Sequence, residues 1–264
     1  MTVHPTAVVE DGADIGDAYI GPFCFVGSQA KLHNGVKLNS HVIVEGETEI
    51  GENTLVHPFA VLGGAPQHLQ YNGEQTSLVI GSNNIIREHV TINCGTQSGG
   101  GVTRVGSNTF IMTGSHIAHD CHVGDHVIFA NNATLGGHVK VGDYAFLGGL
   151  CAIHQFTRIG DYAFIGGCAA VAADVIPFAS AMGNHATLVG LNVVGLKRRN
   201  FSRHAISELR SMYKLLFSSN HTFKERLEIV RSAFSSDEVM KVIKFIDETQ
   251  ARAVMAPDRT LKTP

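Results

Sequence analysis

Aliphatic residues recur at intervals of six along most of the chain. Ile20, Val26, Leu32, Leu38, Val44, Ile50, Val56 and Leu62 form an unbroken series. The register resumes at Ile80, Ile86 and Ile92, breaks again, and runs from Val105 through Ile111, Ile117 and Val123 to Ile165 and Val171. An amphipathic helix needs a spacing near 3.6, which this series lacks. Many of the aliphatics are followed by Gly and then Asp, Glu, Ser or Asn, as in Ile50-Gly51-Glu52, Val141-Gly142-Asp143 and Ile159-Gly160-Asp161. That is turn chemistry, since Gly accepts φ > 0 and Asp or Asn bonds its own backbone. Short strands joined by such corners, three to a coil, stack about 4.8 Å apart. The pattern therefore predicts a mainly β chain, a parallel β-helix of hexapeptide repeats over residues 3–177 with about 18 residues per coil.

Insertions in a solenoid become projecting loops, and the two register breaks predict loops at about 63–79 and 93–104. The second reads GTQSGGGVTR. Its glycines suggest a phosphate cradle, but no strand-to-helix context supports one, so a flexible loop is expected. Beyond Pro177 the period changes. Ala205, Leu209, Met212, Tyr213 and Leu216 follow helical spacing, as do Phe223 and Leu227, then Val239, Val242, Ile243 and Ile246. Three short amphipathic helices are expected to close the end of the solenoid. The division is 1–190, β-helix, and 191–264, a C-terminal α-helical domain.

A repeat array of 264 residues can be one continuous unit. The formal charge of −3 gives no global pull toward nucleic acid or anionic lipid. The first residues lack a basic stretch followed by an apolar one, and no window approaches the roughly 18 apolar residues of a membrane span. Five scattered cysteines with no CxxC spacing read as reduced core residues of a cytoplasmic protein. Fifteen histidines are the unusual feature. At 18 residues per coil, His119, His138 and His154 fall within two residues of one azimuth on successive coils. Beside Asp120 such a column reads as an active-site wall, because His with an adjacent carboxylate is a general-base arrangement. A metal site is the competing explanation. His116, His119 and His122 are three apart, and β-helix carbonic anhydrases resemble this in their zinc ligands. Six residues turn the chain by a third of a coil, however, so His116 and His122 belong to different faces. They cannot share an ion within one chain, though copies in a trimer leave that open.

His4-Pro-Thr-Ala, Ile20-Gly-Pro-Phe, His116-Ile-Ala-His-Asp-Cys, Asn131-Asn-Ala-Thr-Leu, His154-Gln-Phe, Gly183-Asn-His-Ala-Thr and Gly195-Leu-Lys-Arg-Arg appear in this order over nearly the full chain. Together they resemble the bacterial UDP-N-acetylglucosamine O-acyltransferases that begin lipid A synthesis. The resemblance implies a left-handed coil, against the usual crossover preference, and a homotrimer with active sites between subunits. It implies transfer of a 3-hydroxyacyl chain from acyl carrier protein to the 3-hydroxyl of the UDP-sugar. No metal or bound organic cofactor is implied; the donor carries its acyl chain on phosphopantetheine.

By resemblance His119 is the general base, Asp120 orients it, and the Gly137 N–H stabilises the oxyanion. His116, His138, His154 and Gln155 line the sugar and acyl groove, and Gly167 sets acyl length. Arg198 and Arg199, in the basic run that starts at Lys197, lie near the UDP phosphates and the carrier protein. His185 and Asn192 match further ligand positions. Two departures stand out. Gln67-His68-Leu69-Gln70 replaces a family Q-D-L-K, and Val194 stands where glutamate is common. Gln67, His68 and Gln70 are expected at the acceptor, with His68 binding the sugar rather than doing chemistry. The alternatives are a zinc-dependent β-helix hydratase and a scaffold without catalysis.

Overall fold

The computed structural model describes residues 1–248 and 251–258. Its solenoid is a left-handed parallel β-helix whose three faces are sheets of 11, 9 and 8 strands. The first face begins at Thr2–Val3, the second at Val8–Val9 and the third at Asp14–Ile15. Most strands are two residues long, one side chain outward and one inward, as in Lys31–Leu32, Lys37–Leu38 and Phe164–Ile165. Alternation across a strand puts the hexad aliphatic inside, so Ile20, Val26, Leu38, Val44, Ile50 and Val56 are fully buried. Coils register 18 residues apart over the uninterrupted stretches, for example Phe110, Ile128, Phe146 and Phe164 along the first face.

The corner glycines have a different job from the one expected. Positive φ falls two residues later, on His126 (58°), Tyr144 (61°) and Tyr162 (58°). What Gly124 and Gly142 supply is clearance: a Cβ on either would come within 2.3 Å of Oδ1 of Asp143 or Asp161 on the next coil. Those oxygens accept hydrogen bonds from the N–H groups of Asp125 (2.8 Å) and Asp143 (3.1 Å). The left-handed backbone costs an ordinary residue roughly 1–2 kcal/mol. Ring stacking up the corner, His126 on Tyr144 (4.6 Å) and Tyr144 on Tyr162 (4.8 Å), offsets that by about 0.5–1.5 kcal/mol per pair.

The insertions span residues 65–76, between strands Val61–Gly64 and Ser77–Ile80, and 94–101, between Thr91–Asn93 and Val102–Val105. Both leave at the corner between the second and third faces. After the last coil an antiparallel hairpin, Ala179–Met182 with Thr187–Leu191, extends the first face. Among the described residues four helices follow rather than three: α1 (Val193–Arg198), α2 (Arg203–Leu216), α3 (Phe223–Ala233) and α4 (Asp237–Asp247). The extra one, α1, is too short to show a helical period, and it holds Lys197 and Arg198. Leu209, Met212, Leu216, Val239, Val242 and Ile243 form the buried seam of the helical layer. The C-terminal segment expected at 191–264 includes residues 249–250 and 259–264, which lie outside the described residues.

Candidate active site

His119 and Asp120 make the corner that follows strand His116–Ile117. Asp120 takes a positive φ of 60°, and its N–H donates to Thr103 Oγ1 at 2.8 Å. The 94–101 insertion folds onto its carboxylate. The Thr96 N–H donates to Oδ1 (2.8 Å) and the Thr96 hydroxyl to Oδ2 (2.6 Å). Gly99 closes over the same group; a Cβ there would lie 2.1 Å from Asp120 Cγ. The glycine-rich segment is therefore an anchored clamp, not the flexible loop its composition suggested; Gly99 serves close approach to a carboxylate, while Gly100 and Gly101 supply positive φ.

His119 Nδ1 sits 2.7 Å from Asp120 Oδ2, and both residues are buried, at 7% and 5% exposure. A proton on Nδ1 donated to the carboxylate leaves the lone pair on Nε2. That edge of the ring covers Gly137, where a Cβ would come within 2.6 Å of Cε1 and 2.8 Å of Nε2. Two imidazoles flank it: His68, from the 65–76 insertion, at 5.1 Å and 74°, and His138 at 5.2 Å and 89°. Burial holds the His138 ring below the usual histidine range, reinforced by His119 and His68 and opposed by Asp120. Burial likewise lowers His116, which lies on the second face with Nδ1 2.7 Å from Thr91 Oγ1.

The column differs from expectation in its third member. Phe156, 18 residues after His138, stacks on it at 4.3 Å. His154 is exposed and bonded to Arg252 (2.6 Å), and the Gln155 carbonyl accepts from Arg252 at 3.2 and 3.1 Å. At a corner a two-residue offset is enough to turn the side chain away. Gln67 and Gln70 are exposed in the first insertion, and His185 is exposed on the hairpin turn. Gly167 is exposed at the corner between the first and second faces, where an added Cβ would meet only the Gly149 carbonyl at 3.3 Å.

The remaining residues gather elsewhere. Arg198, Arg199, Asn192 and Val194 line a cavity of about 730 Å³ over the first face, with Tyr144, Tyr162, Phe146 and Phe164. The Arg199 guanidinium lies 4.2 Å over the Tyr144 ring. Asn192 also caps α1, accepting from the Gly195 N–H (3.0 Å) and donating to the Tyr162 carbonyl (2.9 Å). A single chain thus does not bring the arginine pair to the His119 corner. Sequence reasoning missed Thr96 and Gly99 of the second insertion, Thr103 on the strand after it and Arg252 beyond α4. Tyr144 was legible, midway between His126 and Tyr162 in the 18-residue repeat.

His116 and His122 do lie on different faces. The group whose ligand atoms converge, all within 4.8 Å of one another, is His119, Asp120 and His138. Asp120 already accepts three hydrogen bonds, two from Thr96 and one from His119. Three of the roughly four lone-pair sites of that carboxylate are thus taken by protein donors.

A solenoid of hexads with a buried His–Asp pair at one corner defines the class, a hexapeptide-repeat transferase. Residues 103–137 match the bacterial transferase hexapeptide (six repeats) model, and residues 174–255 match domain 2 of UDP-N-acetylglucosamine O-acyltransferase. The chain is 56% identical over 261 residues to the acyl-[acyl-carrier-protein]–UDP-N-acetylglucosamine O-acyltransferase of Caulobacter vibrioides, covering 98% of this chain and 99% of that one. A crystal structure of a UDP-N-acetylglucosamine acyltransferase superposes with a TM-score of 0.94 at 38% identity, over 98% of this chain and 100% of the other. The enzyme from Campylobacter jejuni gives 0.92 at 40% identity, over 97% and 100%. The chain belongs to the UDP-N-acetylglucosamine O-acyltransferase family, and it is an acyltransferase. Among the described residues no helix is long and apolar enough to cross a membrane.

Proposed function

We propose that this enzyme transfers a 3-hydroxyacyl chain from acyl carrier protein to the 3-hydroxyl of UDP-N-acetylglucosamine, in the cytoplasm, as the first step of lipid A biosynthesis. The observation that carries the mechanism is the buried His119–Asp120 pair, with Nδ1 committed to the carboxylate and Nε2 facing the space over Gly137. Nε2 takes the proton of the sugar hydroxyl as its oxygen adds to the thioester carbon. The oxyanion forms beside the Gly137 N–H, for which the described residues supply no acceptor. Collapse breaks the carbon–sulfur bond, and the departing thiolate recovers the proton from the imidazolium. Asp120 accepts the Nδ1 proton's hydrogen bond and stabilises that imidazolium. His138, kept toward its neutral form, can accept a hydrogen bond from the sugar. No step needs a metal or a resident organic group.

A homotrimer completes the site. The first face turns Tyr19, Leu55, Ile85, Phe110 and Ile128 outward, and the second turns out Val8, Phe25 and Ile43. Phe23, Phe59 and Leu150 are exposed at the corner the two faces share. Three copies packed first face to second cover this surface. They also turn the arginine-lined cavity of one copy toward the His119 corner of the next. His119→Ala is expected to lower kcat by about 10²- to 10⁴-fold while the trimer stays folded. Retention of most activity, assayed with acyl carrier protein and UDP-N-acetylglucosamine, removes His119 from the base role.

A further inference from the structure

The third face carries a charge pattern that the catalytic corner does not use. Its outward residues run up successive strands in direct register: Asp14 beside Lys31, Lys31 beside Glu49, then, above the insertions, Arg104 beside His122, His122 beside Lys140 and Lys140 beside Arg158. The lower half alternates in sign, with Lys31 Nζ 3.5 Å from Glu49. The upper half is a column of basic side chains with no acid between them. Like charges directly opposite one another on neighbouring strands are destabilising. Arg158 is paired with Asp174 at 2.7 Å, but Arg104 and Lys140 have no carboxylate partner among the described residues. Burial, with Lys140 and Arg104 adding to it, pushes the His122 imidazole down, so that ring sits between two cations without adding a third.

The place of this column gives it a use. His122 is two residues beyond Asp120, so the column forms the outer flank of the catalytic corner. Arg104, His122, Lys140 and Arg158 line a trough of about 380 Å³ together with Gly124, Gly142, Gly160 and Asp161 of the solenoid and Phe245 and Glu248 of the helical layer. The column starts at the coil where the second insertion ends, so the change from alternating to uniform charge coincides with the coils that build the site.

We infer that this third-face column is the docking surface for an acidic helix of the protein that carries the acyl donor, an inference that rests on the donor assignment above. The spacing fits: strands lie about 4.8 Å apart, and acidic residues three or four apart on a helix rise about 4.5–6 Å. The shape also excludes a planar partner. The column is one residue wide and is bordered at the next corner by Asp125, Asp143 and Asp161, whose oxygens bind backbone N–H groups along the corner. A flat anionic bilayer would meet all three of those carboxylates together with the cations, whereas a narrow helix in the trough meets the four basic side chains against Asp161 and Glu248 only. Complementary charge of this kind acts chiefly on encounter and is screened by salt.

The test is Arg104→Glu with Lys140→Glu in the full-length enzyme, with Arg104→Gln and Lys140→Gln as the milder pair should the reversal disturb folding. With acyl carrier protein as donor at low salt, KM for the carrier is expected to rise about tenfold or more. KM for the UDP-sugar, and turnover of a small acyl-pantetheine thioester, are expected to stay within twofold of the unmodified enzyme. Added salt should raise the carrier KM of the unmodified enzyme and leave that of the reversed enzyme nearly flat. An unchanged carrier KM overturns the inference, and so does a loss of binding to phosphatidylglycerol vesicles with carrier kinetics intact. An unmodified enzyme that accepts the pantetheine thioester and refuses the carrier overturns the donor assignment itself, a result distinct from either.

Discussion

His68 reaches the His119 ring from an insertion rather than from the coil, and this defines what it can do. It has no carboxylate partner of its own among the described residues, and its ring is edge-on to that of His119. A neutral imidazole in that position can accept a hydrogen bond from a sugar hydroxyl through one nitrogen and donate through the other. His68→Ala is expected to lower kcat/KM for the UDP-sugar about tenfold, the scale of one hydrogen bond near 1.4 kcal/mol, with little effect on KM for the acyl carrier. Steady-state kinetics with each substrate varied check this. Behaviour like His119→Ala would place His68 in the proton transfer, and behaviour like the parent enzyme would take it off the sugar. Gly137 belongs to the same scale: its missing Cβ is the space the His119 ring occupies. The identities of these residues were legible in the sequence, but their contacts were not, because His68 and His119 are brought together by a loop whose path no repeat dictates.

The second insertion shows what an element contributes. It holds Asp120 by two bonds from Thr96 and closes over it with Gly99, so a segment rich in glycine becomes the support of the carboxylate bonded to His119. Thr96→Val keeps the shape and removes the 2.6 Å hydroxyl bond to an ionised group. A bond of that kind contributes roughly 1.5–3 kcal/mol. The variant is therefore expected to lose about 2 kcal/mol in urea unfolding at fixed protein concentration, and to lose kcat as Asp120 gains freedom to turn from His119. Unaltered stability together with unaltered turnover would show that Thr103 and the backbone hold Asp120 without Thr96. The hexad elements needed no such help. Each two-residue strand follows from one inward aliphatic, which is why the coil was readable and the clamp was not.

At the scale of the whole molecule the three faces divide the work: two turn out mostly uncharged side chains and meet at an edge where Phe23, His41, Phe59 and His89 stack, while the third is charged. Sedimentation equilibrium is expected to give three copies, and Phe23→Glu with Phe59→Glu at the shared edge is expected to dissociate them with loss of activity. A stable and active monomer would mean that the His119 corner and the arginine cavity work apart. The sequence by itself determined the coil, its 18-residue register, the position of both insertions and the placing of His119 beside Asp120 at a corner, because a period of six with inward aliphatics fixes which positions are buried and which turn. It also carried the helical period of α2 to α4. Only the tertiary structure decided that Phe156 rather than His154 continues the column, that corner glycines clear space for aspartate ladders, and that both insertions fold back on one corner. The physical reason is the same in each case. A repeat fixes which face a residue lies on, but the direction of a side chain at a corner and the path of a loop depend on contacts between residues far apart in the chain.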